Sequence, residues 1–239
     1  MINSYIDYIT GVDDPKTSSD RTLFEVVSVT TLLGFIAFSI TGMFVLTFYL
    51  TTLCHGETEW MAKMFVMYLA SLLFNSCTYT PLKYIALGPI PFVMYATFTW
   101  GIYHCLFTNS LPTPMQSILF APQLIFLTTC FLAGYHRDIE EDEKAGIKTI
   151  ITMLGKKNSI IFLSFLALLF FVSMTFLAFY GQNNLILSTL VALPKSFKIF
   201  KEGYYSSTSQ FNYQVLAALR VGCGFYIGAI GIGGFKHLI

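Results

Sequence analysis

The sequence predicts an all-α fold, a polytopic bundle of transmembrane helices, and three observations carry that prediction. Only 11% of the 239 residues are charged and 55% are hydrophobic, whereas a soluble domain carries about 25% charged residues. So little charge cannot cover a water-facing surface, and a bilayer must act as the solvent. The mean hydropathy is positive. Finally, the apolar residues gather into long runs, several of them near the roughly 20 residues that cross a bilayer.

In chain order the runs are 28–52, 60–79, 88–107, 115–134, 159–180, 183–197 and 213–235, which predicts seven spans, the sixth a short or tilted one. Ahead of the first run lies a polar, acidic segment from Met1 to Arg21. No basic stretch leading into an apolar one opens the chain, so no secretory signal peptide is expected. Lysine and arginine concentrate in alternate connections: Lys16 and Arg21, then Lys83, then Arg137 to Lys157, then Lys195, Lys198 and Lys201. Connections 108–114 and 181–184 carry none. The basic side is therefore expected to face the cytoplasm.

Composition also excludes several functions. A formal net charge of +1 with no basic stripe argues against nucleic acid as a partner. The five cysteines lie singly in apolar runs, without metal-ligand spacing or a disulfide framework. The four histidines are equally scattered, so neither a zinc site nor a nucleophilic triad is expected.

Acidic residues are the informative exception. Of 13 in the chain, nine fall in two windows: Asp7, Asp13, Asp14 and Asp20, then Asp138, Glu140, Glu141, Asp142 and Glu143. Asn3 and Asp7 are four apart, as are Asp138 and Asp142, a spacing that puts each pair one turn apart on a helix face. Two like charges so placed ask for a cation. Mg²⁺ suits them, because it takes one or two carboxylates and fills its other positions with water and substrate phosphate oxygens. Solvated loops would also carry such acids, but less readily twice on one membrane side. Lys83, a lone lysine in a short apolar connection, is a candidate anion ligand as well as a candidate membrane-side anchor. The two windows echo each other: each is followed by a basic residue and then Thr-Leu or Thr-Ile, as expected of two halves that each supply one cluster.

Three stretches in this order, N-S-Y-I-D-Y-I-T-G-V-D-D-P-K-T-S-S-D-R-T-L (3–23), Y-T-P-L-K-Y-I-A-L-G (79–88) and R-D-I-E-E-D-E-K-A-G-I-K-T-I (137–150), resemble the UbiA superfamily of intramembrane prenyltransferases. They resemble most its menaquinone-type branch, which includes the UbiA prenyltransferase domain-containing proteins. The resemblance implies a helical bundle of about nine spans around a central cavity capped by two Asp-rich motifs. It also implies a single domain over 1–239, without the one and a half helices that precede the first motif in the family. Asn3, Asp7, Asp13, Asp138 and Asp142 would hold Mg²⁺ and the diphosphate. Lys83, with Arg21, Arg137 and Tyr79, would bind the diphosphate, and the four Asp residues and Lys83 would carry catalysis.

The implied function is Mg²⁺-dependent transfer of a prenyl group from a prenyl diphosphate to an aromatic acceptor of naphthoquinone type, as in menaquinone or vitamin K biosynthesis. The implied location is an internal membrane such as the endoplasmic reticulum or Golgi, with the motifs facing the cytoplasm. Tyr5, Tyr8, Tyr79 and Tyr84 are candidates to stabilise an allylic cation through their ring faces. Three positions depart from the branch: Gly134 and Tyr135 stand where it places asparagines, and Pro89 stands where it often places an acid. These departures keep open a terpene cyclase that ionises the same diphosphate without an acceptor. A non-catalytic membrane binding protein on the same scaffold is a further alternative.

Overall fold

A computed structural model describes residues 1–13, 16, 22–54, 58–79, 82–205 and 211–233, apart from the side chains of Asn3, Thr58, Tyr79, Asn212 and Gly233. The described residues are helical, with no β-strand and one isolated bridge between Ile85 and Lys148. They form two compact units, Met1–Leu111 with Glu141–Thr149, and Pro112–Glu140 with Ile150–Ile239.

The first unit holds α1 (Ile2–Ile9), a π-helical turn (Thr22–Val26), α2 (Val29–Cys54), α3 (Thr58–Tyr79), a 3₁₀ turn (Leu82–Tyr84) and α4 (Pro89–Thr108). The start and stop of α4 are written in its sequence. Pro89 and Pro91 sit in the first turn, where a missing N–H loses nothing, and Asn109 ends the helix in the left-handed region at φ 55°. α3 packs against α4 around buried Met64, Tyr68, Ile102, Cys105 and Leu106. The Tyr68 hydroxyl donates to the Ile40 carbonyl of α2 at 2.7 Å, and Ser71 and Thr99 share a hydroxyl hydrogen bond at 2.8 Å. Inside a bilayer such packing and polar contacts, rather than a hydrophobic driving force, hold helices together. α2 buries only Leu32 and Thr51 and leaves Phe35, Phe38 and Leu46 exposed, as a lipid-facing helix would.

In the second unit, α5 (Pro114–Arg137) opens on a capping box. Thr113 Oγ1 accepts from the Gln116 N–H at 3.2 Å, and Gln116 Oε1 accepts from the Thr113 N–H at 2.9 Å. α6 (Ile139–Lys144) is a short helix that continues into the 141–149 segment of the first unit. α7 (Ile150–Tyr180) is broken at Gly155, whose φ of 72° an L side chain would resist. A 3₁₀ helix (Asn184–Ala192) leads into α8 (Leu193–Tyr205), and α9 (Phe211–Gly233) follows. Their core includes Phe170, Met174, Phe211, Leu219 and Tyr226. Gly203 is required by close approach, because a Cβ there would lie 2.5 Å from the Phe211 ring.

Five helical segments are long and apolar enough to cross a membrane among the described residues: Val29–Cys54, Glu59–Thr78, Pro114–Arg137, Ile150–Tyr180 and Tyr213–Ile232. One of the seven expected spans is corrected. The run 88–107 forms the 20-residue apolar helix α4, as the sequence predicts. The run 183–197 divides at Leu193–Pro194 into a 3₁₀ helix and the lysine-bearing α8. Asn183 anchors its start by donating to the Ala229 carbonyl at 2.8 Å and accepting from the Leu185 N–H at 3.1 Å.

Candidate functional site

The first acidic window folds as a helix with a glycine stop. Gly11, at φ 72°, turns the chain back so that the Val12 N–H meets the Asp7 carbonyl at 2.9 Å and the Gly11 N–H meets the Tyr8 carbonyl at 3.3 Å. This pair of bonds is a Schellman cap, and Asp7 occupies the third position before its end. The second window repeats the device. Gly146, also at φ 72°, brings the Ile147 N–H to the Asp142 carbonyl at 2.8 Å and its own N–H to the Glu143 carbonyl at 3.2 Å. Asp7 and Asp142 thus hold equivalent places in two D-x-x-x-G turns, each followed by an apolar residue. Both are buried, at 6% and 3% exposure.

Asp7 is matched by Lys83, 76 positions along the chain. The Lys83 ammonium donates to both carboxylate oxygens at 3.0 Å, and Lys83 itself is 5% exposed. Burying two charges is tolerated because each satisfies the other; either alone would be strongly penalised. The 3₁₀ turn that carries Lys83 packs on α3, and α1 also packs on α3. One residue beyond the lysine, the Tyr84 hydroxyl lies 3.4 Å from Thr10 Oγ1 at the end of α1. The bridge between Ile85 and Lys148 ties the stretch after Lys83 to the stretch after Asp142. Asp13, partly buried, donates its N–H to the Asp7 carbonyl at 3.2 Å.

Asp142 lies within α6, and four residues before it Asp138 is the cap residue between α5 and α6, at φ −90° and ψ 7°. Its carboxylate turns to the neighbouring Arg137, accepting from Nε at 2.5 Å and from Nη2 at 2.7 Å. Tyr213 on α9 lies near enough to Arg137 to interact with it electrostatically. Glu140 pairs with Lys156. The negative charge of Asp138 is offset by Arg137. Of the remaining expected residues, Asn3 lies on α1 one turn before Asp7 and Tyr79 is the last residue of α3, their side chains outside the described set; Arg21 lies outside the described residues altogether.

Among the described residues, no three His, Cys, Asp or Glu side chains gather as a metal cage. A magnesium site does not need one, since one or two carboxylates suffice when phosphate oxygens complete the shell. Buried carboxylates at Asp7 and Asp142, with no thiolate or imidazole beside them in their motifs, are a donor set that fits Mg²⁺ and not zinc.

The family model for UbiA prenyltransferases matches residues 1–225. The chain belongs to the UbiA prenyltransferase family. Its UbiA relatives include three named as UbiA prenyltransferase domain-containing protein 1 or its homolog. The chain is 26% identical to that of Xenopus tropicalis over 214 residues, and 28% identical to those of Rattus norvegicus and Drosophila melanogaster over the same length. Each alignment covers 84% of this chain but 58%, 59% and 55% of the relative, so the UbiA chain described here spans a little over half their length. Family membership and the apolar helices together make it an integral membrane protein.

Sequence reasoning missed the Asp7–Lys83 ion pair and the Glu140–Lys156 pair. The repeated D-x-x-x-G pattern was the available signal for Asp7 and Asp142. The resemblance brought Lys83 and Asp7 to one diphosphate site, but no spacing in the sequence pairs the two side chains across 76 positions.

Proposed function

We propose that this chain transfers a prenyl group from a prenyl diphosphate to a ring carbon of an electron-rich aromatic acceptor of naphthoquinol type. The buried Asp7–Lys83 pair supports this reading most directly, because a charged lysine kept out of water on a carboxylate is a preorganised cation for an anionic substrate. Lys83 carries the charge, and Asp7 holds its position until diphosphate oxygens offer a second acceptor. Arg137 is oriented by both oxygens of Asp138, and we assign that pair to diphosphate binding on the motif. Asn3, Asp13, Arg21 and Tyr79 are assigned to the same work on the motif alone.

In the reaction the bond between the allylic carbon and the diphosphate oxygen breaks and its electron pair leaves with diphosphate. The ring carbon of the acceptor then attacks the allylic carbon and loses a proton, or carbon dioxide where it carries a carboxylate. Mg²⁺ held by Asp7, Asp13, Asp138 and Asp142 would supply Lewis-acid stabilisation of the departing charge. Lys83 stabilises the same oxygens as charge develops, and an apolar surround keeps water from the cation. We place the activity in an internal membrane, as part of menaquinone-type quinone synthesis.

The test is turnover of radiolabelled geranylgeranyl diphosphate in membranes holding this chain, with Mg²⁺ and with or without a naphthoquinol. The expected result is an acceptor-dependent prenylated product that is lost in Asp138→Ala. Diphosphate release with a cyclic product in the absence of acceptor would replace this reading by the cyclase. No turnover under any condition, with the protein folded, would favour the non-catalytic alternative.

A further inference from the structure

The second unit carries a groove of about 580 Å³ between α7 and α8, within the usual range for a ligand site. Its floor is buried and apolar, formed by Ile160, Ala167, Phe171 and Phe200. Its rims are exposed and apolar: Phe165 and Leu168 on α7, Leu193 and Phe197 on α8. Two apolar rims facing lipid need no explanation. The ends of the rims do.

On α8 the stripe Leu193, Phe197, Lys201, Tyr205 recurs every four residues, so an apolar face ends in a lysine and a tyrosine. On α7, Lys157 stands one turn before Ile161, which itself lines the groove. α7 and the 3₁₀–α8 segment are joined by the short turn 181–183 and pack on each other, so the chain reverses and Lys157 lies just beyond Ile161, toward the end of the groove that Lys201 lines. Both lysines are exposed, and neither forms a hydrogen bond or an ion pair with the described residues. The nearby acids are committed elsewhere: Glu140 to Lys156, and Glu202 to Lys198 at 3.8 Å. From Lys201 to Leu193 the groove runs eight residues, about 12 Å of helix, long enough to bury part of an acyl chain.

We propose that this groove is a binding site for an anionic phospholipid, with one acyl chain between α7 and α8 and the phosphate held by Lys157 and Lys201. A basic pair at the end of an apolar slot complements that molecule in charge and polarity, and a flanking tyrosine is the usual interfacial anchor. The proposal does not rest on prenyl transfer.

Native mass spectrometry of the full chain in detergent tests it, titrating phosphatidylserine against phosphatidylcholine. Wild type is expected to retain one phosphatidylserine in preference to phosphatidylcholine. The double substitution Lys157→Gln/Lys201→Gln should weaken that retention about thirty-fold, two lysines' worth at a membrane surface. Lys195→Gln/Lys198→Gln, the same charge change outside the groove, should leave it intact. Equal retention by wild type and Lys157→Gln/Lys201→Gln, equal loss in both double variants, or displacement of the lipid by geranylgeranyl diphosphate at equimolar concentration would each overturn the assignment. So would a shift from dimer to monomer on substituting the two lysines, which would give the groove to a second copy of the chain.

Discussion

Replacing Lys83 by methionine removes one partner of a buried ion pair and leaves Asp7 with its charge and without its ammonium. Charges about 3 Å apart at an effective dielectric of about 20 attract by about 5 kcal/mol, and breaking a buried pair by removing one member typically destabilises by about 3–5 kcal/mol. Lys83→Met and Asp7→Leu are each expected to fall in that range, since both groups are over nine-tenths buried. Removing both charges together, in Asp7→Leu/Lys83→Met, leaves neither member of the pair as an unmatched charge, and apolar replacement of a whole buried pair is close to neutral. The double variant is therefore expected within about 1 kcal/mol of wild type in stability while losing turnover with both single variants. Unfolding by sodium dodecyl sulfate from mild detergent micelles, followed by circular dichroism, gives the three free energies of the cycle. Single losses that simply add in the double variant would refute the argument, because independent sites add and coupled ones do not.

Other substitutions probe particular contacts. Gly203→Ala puts a methyl group where 2.5 Å separates it from the Phe211 ring, so thermal stability should fall by about 1–3 kcal/mol, with Phe211→Leu in the same chain recovering part of the loss. Gly146→Ala forces a φ of 72° on a residue that resists it, which should lower stability by about 1–2 kcal/mol and reduce turnover, since the cap it closes begins at Asp142. Tyr226→Phe removes a 2.7 Å hydrogen bond to the Leu119 carbonyl and should lower stability by about 0.5–1.5 kcal/mol without changing turnover per folded molecule.

The class of the fold was legible because charge is scarce and apolar runs are long, both consequences of a lipid solvent. The acidic windows were legible for the same reason, since 13 acids cannot concentrate in this way by dispersal over a wet surface. What sequence spacing could not convey was local geometry that overrides periodicity. Nothing in the spacing of Asp138 and Asp142 shows that Asp138 caps α5 and that the adjacent Arg137 takes both its oxygens. The run 183–197 is apolar enough to suggest a span, yet Asn183 pins its start to Ala229 and Pro194 sits where one helix type gives way to another. Lys83 was readable as a lone lysine in an apolar connection. Its partner was not, because the approach of α1 to the turn after α3 is a product of packing over 76 positions.

The central claim is that Lys83, held ready by Asp7, binds the diphosphate. Titrating farnesyl S-thiolodiphosphate, a non-ionising substrate analogue, into wild type and Lys83→Met with Mg²⁺ present tests it without relying on turnover. The account predicts Mg²⁺-dependent binding to wild type and a loss of about tenfold to a hundredfold in Lys83→Met, the scale of one charge-assisted hydrogen bond of about 1.5–3 kcal/mol. Equal affinity in the two proteins would contradict it and leave Lys83 as a structural partner of Asp7 alone.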